Sequence, residues 1–148
     1  MFNAMIVAAL LALTTWYCAL QGDSGALATR SAQRGQASAM AAYRQTVVAY
    51  FTAHPERYQA APAPQPAMPA GQGGFANYRL ADGTILVYAL APQPGLTGEL
   101  LALSQRSHMV GRFSDGVFRS ALSGAPSAIA TPPLAIPNGG PVWLAAAN

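Results

Sequence analysis

Two stretches centred on Asp-Gly, each preceded by a run with helical spacing, predict an α+β domain of order αββαββ. A third observation, an uncharged apolar run at the N-terminus, adds a single transmembrane helix in front of it. The expected architecture is thus an N-terminal membrane helix followed by a small two-layer domain, similar to a circularly permuted ferredoxin-like fold. Both hairpins would share one sheet, and both helices would lie on one face of it. In residues this reads as 1–22 anchor, 23–35 connector and 36–148 exported domain, with a Pro/Gly loop at 61–74.

The first element runs from Ala4 to Leu20 without charge, proline or glycine. At about 1.5 Å per residue it reaches roughly 25 Å, at the short end of a bilayer span. A secretory signal would need a basic n-region and a nearby A-x-A site. Here "MFN" has no basic side chain, and the best A-x-A, Ala26-Leu27-Ala28, lies well beyond the apolar run. Cys18 raises a lipoprotein reading, but Trp16 and Tyr17 stand where small residues are needed. Those two aromatics suit a membrane interface. The uncleaved anchor is the best fit, with a mature protein beginning at or near Met1. Arg30 and Arg34 pull the following segment inward under the positive-inside rule, although two arginines are a weak pull.

Residues 22–35, "GDSGALATRSAQRG", form a connector or a poor continuation of the helix. In "QASAMAAYRQTVVAYFTAHP", Met40, Tyr43, Val47, Tyr50 and Phe51 recur at helical spacing, and Pro55 ends the run. That stripe is core in the simplest reading, with Arg44 exposed on the opposite side. The segment "APAPQPAMPAGQGG" is extended loop, ill suited to a core.

"FANYRLADGTILVYALA" then turns at Asp82-Gly83, a dipeptide that favours a type I′ hairpin. "GLTGELLALSQRS" spaces Leu96, Leu100 and Leu103 as a helix. "HMVGRFSDGVFRSAL" repeats the hairpin at Asp115-Gly116. The tail is loop-like until Val142-Trp143-Leu144, which would add an edge strand.

Composition narrows the chemistry. Charged residues are 9% of the 148 and the formal charge is +3, all of it arginine because there is no lysine. A Walker A loop, Schiff-base chemistry and lysine-dependent serine hydrolysis are therefore excluded. The arginines are dispersed, which argues against nucleic acid. His54 and His108 have no ligand-forming neighbours in sequence, and Ser107, His108 and Asp115 lie along one hairpin where a triad could not converge. "GQGGF" neither follows a strand nor opens a helix, so it fails the dinucleotide context. A single cysteine, Cys18 in the apolar run, leaves no intrachain disulfide and no cysteine metal site. No catalytic, cofactor or metal site is expected.

With these pieces in place, the chain resembles the small PilM family of plasmid-type (type IVB, conjugative thin-pilus) pilus biogenesis operons, distinct from the larger actin-like protein of the same name. The likeness rests on the apolar segment ending at Tyr17 and on "AYRQTVVAYFTAHP", with Tyr43-Arg44, Val47, Tyr50 and Pro55. It continues through "ILVYAL", "PGLTGEL", "MVGR" and "LAIPNGGPV"; the Ala/Pro/Gln loop at 60–70 departs from it. The resemblance implies a non-enzymatic inner-membrane component of pilus assembly. Its partners would be other pilus or secretion proteins, the membrane and a second copy of itself, with Arg44, Tyr43 and Tyr50 as candidate partner contacts. The layout is also similar to inner-membrane alignment proteins such as PilO and the M-type components of type II secretion, whose small exported domains pair with other domains. A sheet edge or a helix face would supply the contact. The other reading is a soluble periplasmic binding module or minor-pilin-like subunit released by cleavage.

Overall fold

The computed structural model describes residues 2–68, 73–91, 93–130 and 132–146, with the side chains of 2–16 and 18–24 outside the description. Its elements are α1 (Phe2–Ala53), β1 (Phe75–Arg79), β2 (Thr84–Ala89), α2 (Leu96–Leu103), β3 (Val110–Ser114), β4 (Val117–Ser120) and β5 (Pro141–Ala146). The chain divides into two compact units, Met1–Ala32 and Gln33–Asn148.

In the first unit the backbone is helical from Phe2 onward, through the stretch read as a connector. Tyr17 and Leu27 are exposed, and Thr29 returns its hydroxyl to the Gly25 carbonyl. Apart from Tyr17, the side chains on which a membrane anchor at 1–22 would depend lie outside the described residues. Among the described residues, no helix is long and apolar enough to cross a membrane.

The second unit is α+β, a five-stranded antiparallel sheet with helices against one face. The strand order is β1-β2-β5-β3-β4. The two hairpins are present in the expected αββ order, but they do not meet directly. β5 lies between them, pairing Leu86 with Leu144 on one side and Gly111 with Val142 on the other. The tail strand is therefore central, not an edge. The physical reason is its composition: "PVWLA" has no charge, and all five residues are buried. A strand apolar on both faces belongs inside a sheet covered on both sides.

Both sides are indeed covered. On the helix side, Ala37, Met40, Tyr43, Val47 and Phe51 of α1 and Leu96 and Leu100 of α2 pack on Phe75, Ile85, Val87, Trp143 and Ala145. On the other side, Leu86, Tyr88, Phe113, Phe118, Val142 and Leu144 pack with Ile129, Leu134 and Ile136 of the long β4–β5 connection. That connection acts as a third layer over a sheet expected to have only two. The Pro/Gly loop also departs from expectation. Ala61 is buried in the helix-side core, with Ala63 and Met68 against it.

Both edges of the sheet are occupied by the chain itself. Along β1, the Gln65 amide donates to the Phe75 carbonyl and accepts from the Phe75 N–H, and Gln59 bridges Arg79. Along β4, Arg119 bridges Pro126 and Ser127 donates to the Phe118 carbonyl. Edge strands closed in this way have few free backbone groups for a further strand.

The two Asp-Gly turns differ. At Asp115 and Gly116 both φ angles are positive, 52° and 78°, and Ser114 pairs with Val117, the type I′ geometry expected. At the first hairpin only Gly83 is positive, at 89°. Gly83 donates to the Leu80 carbonyl and Leu80 to the Thr84 carbonyl, closing a three-residue loop. Asp82 bonds the Thr84 N–H through its carboxylate and stays at negative φ. Gly83→Val and Gly116→Val should each cost on the order of 1–2 kcal/mol, for placing a β-branched residue at positive φ. Space is open around Gly83, so its cost is conformational alone. Equilibrium denaturation measures it, and unchanged midpoints in both variants would reject the turn assignments.

Candidate functional site

The residues marked by sequence as candidate partner contacts are drawn into the fold. Tyr43 is 3% exposed, and its hydroxyl accepts a 2.8 Å bond from Asn77 Nδ2. Asn77 in turn holds the backbone of Ala61 at both its N–H and its carbonyl. This buried network fixes α1, β1 and the start of the Pro/Gly loop to one another.

Arg44 is half-buried, a correction to its expected exposure. Its Nε and Nη2 both donate to the Leu144 carbonyl, at 3.3 and 3.2 Å, and the guanidinium lies 4.9 Å from the centre of the Trp143 ring. Burial lowers its pKa below the ordinary guanidinium value. The helix packs more widely than its apolar stripe implies, because an arginine stem can cover a tryptophan.

Tyr50 is half-exposed at the end of α1. It stacks on His54 at 4.5 Å and accepts a bond from Arg57. The three candidates thus do not form one surface.

Arg79, unmarked in the sequence, is buried beside them. It donates to the carbonyls of Pro55 and Arg57 and lies over the rings of Phe51 and Tyr58. It holds the chain as it leaves α1.

His54 meets the Tyr50 carbonyl through Nδ1. Ser107 Oγ accepts from the Met109 N–H, whereas Asp115 lies at the far end of β3, held by Ser114 and Asn138. Among the described residues no three His, Cys, Asp or Glu side chains gather as metal ligands would.

What the fold does leave open is a groove beside α2. The eight residues of α2 cover roughly 12 Å, and the helix-side core ends at Val110. No residue of β4 contributes to that core, so this face of β4 is bare. The resulting groove holds about 540 Å³, walled by Thr97 and Leu101 of α2 and floored by Arg112 and Arg119. A second hollow of about 470 Å³ shares Gly98, Leu101 and Ala121 with it and adds Arg106 and Leu122.

Arg112 and Arg119 are register partners across β3 and β4. Directly opposed like charges are unfavourable, and here no carboxylate offsets them. Arg112 Nε donates to Thr97 Oγ1 at 3.1 Å. The Arg119 guanidinium has no hydrogen bond or ion pair among the described residues, whose ion pairs are Arg34–Glu99 and Arg57–Glu56. The sequence already contained this pair. A two-residue turn at Asp115-Gly116 places Ser114 opposite Val117, Phe113 opposite Phe118 and therefore Arg112 opposite Arg119. Counting outward from the turn would have found it.

Comparison with known proteins gives two matches. A family model described as PilM matches residues 7–144 of the chain. The chain is also similar to the crystal structure of a protein designated PilM from Escherichia coli B7A. The two are 25% identical, with a TM-score of 0.60, over 79% of this chain and 94% of that one. No curated protein matches.

Proposed function

The chain belongs to the PilM family, and on that premise we propose that it is a non-enzymatic component of the pilus biogenesis machinery, held at the inner membrane by its N-terminal segment. Its domain would face the periplasm and act through contacts with other assembly proteins. The carrying observation is the reach of the family match. Residues 7–144 take in the apolar segment, the sheet and the tail layer together, so the pilus-related role attaches to the whole arrangement.

Two features support action by contact. The structure spends Arg44, Arg79 and the Tyr43–Asn77 pair on holding the domain together. It also closes both sheet edges while leaving a concave basic face open. Retention of the N-terminal segment is supported by its context: Ala26-Leu27-Ala28 lies inside α1, well beyond the uncharged run from Ala4 to Leu20.

Cell fractionation tests this reading. The protein in a piliated host is expected in the membrane pellet after alkaline extraction, with its N-terminus at or near Met1. Deleting its gene should abolish piliation, and restoring the full chain should recover it. A mature chain beginning at Thr29 and recovered in the periplasmic fraction would instead support the released subunit.

A further inference from the structure

We propose that the groove between α2 and β4 is the docking site for an acidic, partly apolar polypeptide segment of another assembly protein. The inference rests on the contact reading above and names the surface and the chemistry of its occupant. The argument begins with charge. Of the eight arginines, Arg44 and Arg79 are bound to backbone carbonyls and aromatic rings, Arg34 and Arg57 face carboxylates, and Arg30 and Arg106 are exposed with no strand partner of like charge. Arg112 and Arg119 differ. They are forced together by strand register, both are exposed, and neither has a carboxylate among the described residues. A carboxylate placed between two guanidiniums relieves their repulsion and gains charge-assisted hydrogen bonds.

Shape and lining narrow the occupant further. The charges stand on the floor of an open groove, a shape that suits a peptide better than a flat bilayer. The walls mix apolar side chains and bare backbone, Leu101 and Ala121 with Gly98, Gly124 and Gly139, with the small hydroxyls of Thr97, Ser114 and Ser120. Such walls accept small apolar side chains and let a partner backbone come close. Two arginines are too few to follow a nucleic-acid backbone. The combined hollows, with Arg106 at the far end, suit a short segment that alternates acidic and apolar residues.

The test uses the full-length protein in piliated cells, with a photo-crosslinking phenylalanine analogue replacing Leu122 on the groove wall. A second protein carries the analogue at Tyr58, by the opposite edge of the sheet and 49% exposed. We expect the Leu122 position to give an adduct whose cross-linked peptide comes from another assembly protein and contains Asp or Glu. The double variant Arg112→Gln, Arg119→Gln should lower the adduct yield by about tenfold or more, one tenfold step being the least expected from losing two charge-assisted contacts. Its melting temperature should be unchanged or slightly raised, because a like-charge pair is removed. Should the double variant fold poorly, Arg119→Gln alone replaces it, since that guanidinium has no internal partner to lose.

An adduct that persists undiminished without the arginines overturns the proposal. So does an adduct only to lipid, to nucleic acid or to a second copy of the chain. No adduct at Leu122 beside a pilus-protein adduct at Tyr58 rejects the groove and leaves the contact reading standing. No protein adduct at either position rejects both.

Discussion

Gly111→Ala is expected to lower the melting temperature by about 4–12 °C, and Gly111→Val to prevent folding. Gly111 sits in β3 between β5 and β4, paired with Val142 and Ser120. It is not a positive-φ residue, so the demand for glycine is steric. A Cβ at this position would fall inside 3.0 Å of the Arg119 carbonyl oxygen and of the Phe118 ring edge. The ring lies over the glycine because Phe118, 2% exposed, fills the core beneath the β4–β5 connection.

Neither obstacle yields cheaply. The carbonyl belongs to the neighbouring strand, and moving it breaks the ladder. Tilting the ring opens space in the tail-side core. Overpacking of this kind costs about 1–3 kcal/mol, and more where backbone must shift. For a domain of this size each kcal/mol is worth about 4 °C. With total stability of roughly 5–15 kcal/mol, the two further methyls of valine exceed what the fold can absorb. Circular dichroism melts of purified protein give the result. A Gly111→Ala variant melting within about 2 °C of wild type would show that the approach of Phe118 is looser than the geometry indicates.

The same glycine shows where sequence reading succeeds and where it stops. "HMVGRFSDGVFRSAL" was legible as a hairpin, and the turn chemistry of Asp115-Gly116 set the register that opposes Arg112 to Arg119. The need for glycine at 111 was not legible. It depends on an aromatic ring crossing from the paired strand under a layer to which Ile129, Leu134 and Ile136 contribute, and those residues follow no periodic pattern. These large apolar residues are scattered among alanines, a threonine and two prolines, a composition that reads as loop.

The position of β5 was hidden for a related reason. "PVWLAA" has the marks of a strand, but nothing local reports which strands it joins. Its insertion between the hairpins depends on the β4–β5 connection being long enough to cross the sheet. Helical spacing, by contrast, placed Met40, Tyr43, Val47 and Phe51 on the core face of α1, as found, whereas Tyr50, read into the same stripe, is only partly buried at its margin. It erred on Arg44, because periodicity classes arginine as polar while the structure uses its aliphatic stem and its donors together.

Arg44→Glu is therefore expected to destabilise the domain by about 2–4 kcal/mol, where an exposed charge would have predicted almost none. The arginine makes three separable contributions. Its Nε and Nη2 donors satisfy the Leu144 carbonyl, and bonds from a charged donor contribute about 1.5–3 kcal/mol. Its guanidinium over Trp143 adds about 0.5–2 kcal/mol by cation–π attraction. Its stem shields the indole, which is only 8% exposed. Glutamate has no donor for the carbonyl and sets a negative charge against both an oxygen and the negative face of a ring.

Three variants apportion the loss. Arg44→Lys keeps the charge and one donor but loses the planar fork, and should cost about 1 kcal/mol. Arg44→Met keeps only the stem and should fall between lysine and glutamate. Urea denaturation of the three ranks them Lys, Met, Glu in increasing cost. If methionine and glutamate fall together, the lost guanidinium contacts carry the effect; if glutamate alone is costly, its negative charge beside the carbonyl and the ring does. Equal stability in all three would mean that Arg44 is free in solution. In that event a charge reversal there would test partner contact directly. With the packing observed, a piliation defect in Arg44→Glu reports lost folding first, and the same holds for Tyr43, whose hydroxyl secures Asn77. The side chains of the groove arginines are free of that confusion, since among the described residues the Arg119 guanidinium has no hydrogen bond or ion pair and that of Arg112 binds only the Thr97 hydroxyl.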